Sequence, residues 1–97
     1  MKKYYFSAAK NAHNIELVMN RAFNLAQDAA ERGDRAEYMR LMEIHDDAQE
    51  VLSAVLNSMV GPGVSLLDGR MFGRARDLSV RGVMIRDGMN LAHKGGA

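Results

Sequence analysis

From Ile15 to Met59 the apolar side chains recur at alternating steps of three and four, and a single interruption at Gly33-Asp34 divides the run. A period near 3.6 lines such residues along one face of a helix, whereas a half-buried strand would alternate every second residue. The first segment carries Ile15, Val18, Ala22, Leu25 and Ala29, with Met19, Phe23, Ala26 and Ala30 on an adjoining stripe. The second carries Tyr38, Leu41, His45, Ala48, Leu52, Val55 and Met59, widened by Met42, Ile44, Val51 and Leu56. Ser7 or Asn14 offers an oxygen to the unpaired amides that open the first helix, and Gly33 supplies the left-handed residue that commonly ends one. Asp34 and Glu37 have capping-box spacing in an acidic variant, so the second helix starts almost at once. Helices joined by about two residues turn back antiparallel, which predicts a hairpin over residues 7–60.

The last third reads less plainly. Gly61-Pro62-Gly63 acts as a helix stop or hinge, since proline cannot continue the hydrogen-bond ladder. Ser65 and Asp68 again have capping-box spacing, and Val64, Leu67 and Met71 would line a short helix. Leu78, Ile85 and Ala92 lie one heptad apart, with Val80, Met84 and Leu91 alongside, so residues 76–93 are expected to be helical. Gly82 and Gly88 cost such a helix roughly 1 kcal/mol each relative to alanine. The rival is a tight turn at Asp87-Gly88 between two short strands, because Val83-Met84-Ile85 suits a strand. The expected fold is therefore all-α: one domain over residues 1–97, in which the hairpin is completed by a basic C-terminal arm, residues 64–93, or by a second copy of the chain. A chain of 97 residues has room for one core, and a hairpin alone buries little.

Composition narrows the function. Apolar residues make up 47% and charged residues 26%, a globular balance, and no run approaches the roughly 18 apolar residues of a membrane span. Met1-Lys2-Lys3 is followed by six uncharged residues before Lys10, too few for a secretory signal. Zero cysteines exclude thiolate chemistry and suit a reducing cytosol, so a cytoplasmic protein without a membrane partner is expected. The net charge of +1 hides a segregation: residues 1–10 carry +3, residues 11–60 carry −5 and residues 61–97 carry +3. Such a layout steers partners or closes the basic third over the acidic middle.

Glu43, Asp46, Asp47 and Glu50 share one side of the second helix, and close carboxylates suit hard cations. On a helix whose other face is apolar, that side is normally the solvated one. Glu43-x-x-Asp46, following Gly33-Asp34, resembles over about 30 residues the second metal motif of the all-α nucleoside triphosphate pyrophosphohydrolases of the MazG type. The resemblance implies a metal-dependent nucleotide phosphohydrolase using the acidic helix. Where that family places a Glu-x-x-Glu pair on the preceding helix, this chain has Arg21-Ala22-Phe23-Asn24. His45-Asp46 is similar to the dipeptide of the HD-type metal phosphohydrolases, although His45 on the apolar stripe also reads as a part-buried packing residue able to titrate near neutral pH. A nucleophile elbow and a phosphate-binding loop with lysine are both missing. No catalytic residue, metal or cofactor is expected.

Arg70, Arg74 and Arg81 share a face if residues 69–90 form one helix, and Arg86 adds to the same basic segment. Arginine's planar fork suits phosphate or carboxylate, yet Asp77 and Asp87 sit close enough to neutralise part of this charge. The pI of about 8.1 is below that of a dedicated nucleic-acid module. Tyr38, Met39 and Met42 make a face wider than one hairpin partner covers, and Tyr4-Tyr5-Phe6 needs the hairpin or another chain to pack on. The sequence thus points to a protein-interaction module, an adaptor or inhibitor of a larger host or cognate protein, of the kind carried by bacteriophages and mobile elements. Its expected contacts are Arg70, Arg74, Arg81, Arg86, Tyr38, Met39 and Met42. Nucleic-acid binding by the C-terminal arginines is the alternative, and a homodimer is a further expected assembly.

Overall fold

The two periodic runs form the helices their spacing predicts. α1 covers Ala8–Glu31 and α2 covers Arg35–Asn57 in a computed structural model that describes residues 2–88. Gly33, at φ +77°, makes the turn between them, and the Asp34 side chain accepts a hydrogen bond from the Glu37 amide at 3.1 Å, a cap worth about 1 kcal/mol. Ser7 is the N-cap of α1, although its hydroxyl caps no amide. Ile15 and Val18 of α1 pack with Ala48, Val51 and Val55 of α2, while Ala26 and Ala29 meet Leu41 farther along. Early residues of one helix facing late residues of the other make the pair antiparallel. At 24 residues α1 is about 36 Å long, and it sets the long axis of a molecule measuring 44 × 23 × 21 Å.

The chain is mostly helical, but it is not all-α. Three strands, β1 (Lys3–Ser7), β2 (Met59–Gly61) and β3 (Val64–Asp68), form an antiparallel sheet in the order β1-β3-β2. α2 ends at Asn57, before Gly61-Pro62-Gly63, and that tripeptide is neither helix stop nor hinge. Pro62-Gly63 turns β2 into β3, with proline's fixed φ followed by glycine at φ +72°. A Cβ on Gly63 would lie 2.6 Å from that of Ala9, so the turn is also seated against the start of α1.

The short helix expected over Val64, Leu67 and Met71 is likewise corrected. Ser65 and Leu67 point inward from β3, and the Ser65 hydroxyl donates to the Val55 carbonyl instead of capping a helix. Asp68 is the real N-cap of α3 (Gly69–Arg86), accepting from the Met71 amide at 2.9 Å. The basic arm is therefore strand and then helix, and α3 runs without break to Arg86, which decides against strands around Asp87-Gly88. The expected extension to residue 93 lies outside the described residues.

α3 buries Ala75, Leu78, Ser79 and Gly82 against α1. Its closest approach is at Gly82, where an added Cβ would fall 2.0 Å from the Asn14 carbonyl oxygen. Next to this crossing Asn14 donates to the Ser79 hydroxyl at 3.3 Å, Ser79 donates to Asn11 at 2.7 Å, and Asn11 donates to the Ser7 carbonyl at 2.8 Å. The chain of bonds lets a buried asparagine and serine sit in a helix seam without an unpaired polar atom. Phe6, 5% exposed, joins the same core edge-on to Phe72, with ring centroids 6.0 Å apart.

Candidate interaction surface

The residues singled out in the sequence fall in two separate places. Tyr38, Met39 and Met42 lie in the first two turns of α2, at the far end of the hairpin. Tyr38 and Met42 are half-buried against Ala26, Ala29 and Leu41, so their outer area is modest, while Met39 remains 51% exposed. The arginines lie on α3, where Arg70, Arg81 and Arg86 are exposed.

Arg74 points the other way. Its guanidinium donates to Asp47 and Glu50 of α2, and these hydrogen bonds, Asp47 first and Glu50 second, hold its pKa above the ordinary arginine value. Part of the basic third thus closes on the acidic middle of the same chain. The acidic side of α2 is correspondingly divided: Asp47 and Glu50 are taken up by Arg74, and Asp46 accepts from His45 Nδ1 at 3.0 Å. His45 is half-buried with its ring 5.7 Å from that of Phe23, as a packing histidine would be. Among the described residues no group of three or more acids or histidines is placed to hold a metal ion.

This arrangement separates two carboxylates that look alike in sequence. Glu50→Gln weakens the Arg74 clasp and should lower stability by about 0.5–1 kcal/mol, the upper range for a surface ion-pair network. Asp46→Asn, with its carboxylate largely in solvent, should change stability by less than about 0.5 kcal/mol. Thermal melts of the two variants beside the parent test this ordering.

A third surface is not marked by any sequence motif. Because the sheet order is β1-β3-β2, one edge of β1 has no strand beside it among the described residues. Tyr4 and Phe6 share a register face with Leu67 and Ser65 and turn toward the helices; Tyr4 stacks near Phe72 at 5.3 Å. Tyr5 faces the opposite side and is 73% exposed. A groove of 360 Å³ runs between β1 and α3, lined by Tyr5, Phe6 and Ser7 from β1, by Phe72, Arg76, Ser79, Val80 and Val83 from α3, and by Asn11 of α1. Consecutive strand residues alternate faces, so three in a row line one groove only when it opens along the strand's edge. Val80, 54% exposed, and Met84 continue the apolar surface along α3. The only sequence signal for this site is the aromatic cluster at residues 4–6, which has strand propensity but too little length to fix a register.

No helix among the described residues is long and apolar enough to cross a membrane. Comparison of the chain with protein-family models, with curated proteins and with solved structures gives no match.

Proposed function

We propose that this protein is a protein-binding module, an adaptor or regulator of a larger cytosolic protein, that engages its partner through β1 and the outer face of α3. The observation that carries this reading is the grouping of exposed Tyr4, Tyr5, Val80 and Met84 around a groove beside an unpaired strand edge. Large apolar side chains gathered in one exposed patch mark interaction sites, whereas scattered ones do not. The polar groups with chemical potential have structural work instead: Asp34 and Asp68 cap helices, Asp47 and Glu50 hold Arg74, and Asn11, Asn14 and Ser79 seal a helix seam. That distribution favours binding over catalysis.

The test is capture from lysate, with and without nuclease treatment, on the immobilised chain, beside a Val80→Glu, Met84→Glu double variant. Both side chains are exposed, so the variant should keep the parent's helical circular-dichroism signal. It should lose at least tenfold of the protein captured by the parent. Equal capture by both would remove this surface from the function, and loss of the captured material on nuclease treatment would turn the reading to nucleic acid.

A further inference from the structure

Resting on the reading of β1 and α3 as a binding surface, we infer that the groove receives an extended, acidic segment of the partner protein, added as a strand to the free edge of β1.

Two independent features select this occupant. The first is backbone: an edge strand presents a row of N–H and C=O groups whose natural complement is another extended chain, and here the edge, up to the Ser7 carbonyl that Asn11 takes up, opens onto a groove whose far wall offers Phe72, Val80 and Val83 to alternate side chains of that chain. A helix could not meet those backbone groups, because its own are already paired within it.

The second is charge. Lys2 and Lys3 stand at one end of the edge, Lys10 follows in the first turn of α1, and Arg76 lines the groove from α3; all are exposed, and among the described residues none makes an ion pair. Arg32, Arg40, Arg74 and Arg86 are paired with acids of their own chain, and of the other described arginines, Arg21, Arg35, Arg70, Arg76 and Arg81, Arg76 is the one that lines the groove. Of the acids at this end, Asp68 caps α3 and stands opposite Lys3 in the sheet register, which leaves Lys2, Lys10 and Arg76 as the uncompensated cations, while Asp77 is displaced from Arg76 by about 100° round the helix. The basic rim is thus left for carboxylates brought by the partner. Nucleic acid fits less well, since the groove wall is aliphatic as much as aromatic and the whole chain carries only +1.

The experiment selects random dodecapeptides displayed on phage against the immobilised full chain. Enriched peptides should alternate apolar residues with aspartate or glutamate. One of them, synthesised with a fluorophore, should bind the parent and bind a Lys2→Glu, Arg76→Glu variant at least tenfold more weakly. N-methylation of its backbone should weaken binding at least tenfold at residues of one parity and leave it nearly unchanged at the other, since only alternate amides of an added strand face β1. Helical spacing in the enriched peptides, absence of acidic residues, or no parity effect would overturn the inference. So would competition by an oligonucleotide, or sedimentation showing that the parent already pairs with a second copy through β1. If lysate capture still depends on Val80 and Met84 while the peptide results fail, the binding surface stands and strand addition falls; if both fail, the two fall together.

Discussion

Replacing Gly82 by alanine should destabilise the protein by roughly 3 kcal/mol or more, although the same change in an exposed helix normally stabilises by about 1 kcal/mol. The reason is the 2.0 Å separation between the would-be Cβ and the Asn14 carbonyl oxygen, a contact with backbone that no side-chain rotation relieves. The helices must part, and the Asn14–Ser79–Asn11 chain of hydrogen bonds beside the crossing stretches with them. Gly73 provides the internal control, because it lies in the same helix and an added Cβ there meets nothing within 4 Å. Gly73→Ala should therefore raise stability by about 0.5–1 kcal/mol. Thermal melts should place the two variants on opposite sides of the parent, with Gly82→Ala lower by more than about 10 °C for a domain of this size. If both alanines stabilise, α1 and α3 do not approach as described.

Phe6→Ala is expected to remove about 3–5 kcal/mol, the usual range for truncating a buried phenylalanine, whereas Tyr5→Ala should stay within about 0.5 kcal/mol of the parent. The neighbouring aromatic residues occupy opposite faces of β1. Phe6 packs into the main core edge-on to Phe72, and Tyr5 stands in solvent. Denaturant unfolding of both variants measures the contrast directly. A small loss at Phe6 together with a large one at Tyr5 would mean that β1 is paired one residue out of register, since such a slip exchanges the faces of the strand.

The helical hairpin could be read from the sequence because its information is local. The stripe from Ile15 to Ala29 and that from Tyr38 to Val55 each declare a buried face, and Gly33 with Asp34 and Glu37 punctuates them. The sheet was hidden for equally physical reasons. Ser65 points inward, so the alternation of β3 does not show as apolar against polar, and its hydroxyl is satisfied by a carbonyl of α2 rather than by a local amide. β1 is five residues long and β2 three, too short for a period to emerge. Gly82 looked like a simple helix penalty because the approach that requires it comes from another helix. Arg74 could not be told from Arg70 or Arg81 by spacing, since the acids that take it up are 24 and 27 residues away. The groove depends on β1 reaching β3 across most of the chain, and no local pattern encodes that register.

The same pairing bears on the order in which the chain assembles during synthesis. β1 is made before its hydrogen-bonding partner β3, which emerges only after both long helices, several seconds later at ordinary rates of translation. The helices can close on each other within that interval through a three-residue connection, while Tyr4-Tyr5-Phe6 waits for its β3 partner. An unpaired aromatic stretch is the kind of segment that joins neighbouring nascent chains, and the adjacent Lys2 and Lys3 place mutual repulsion beside it. The strand made first is thus among the last to be placed, and its flanking lysines guard the chain before β3 arrives.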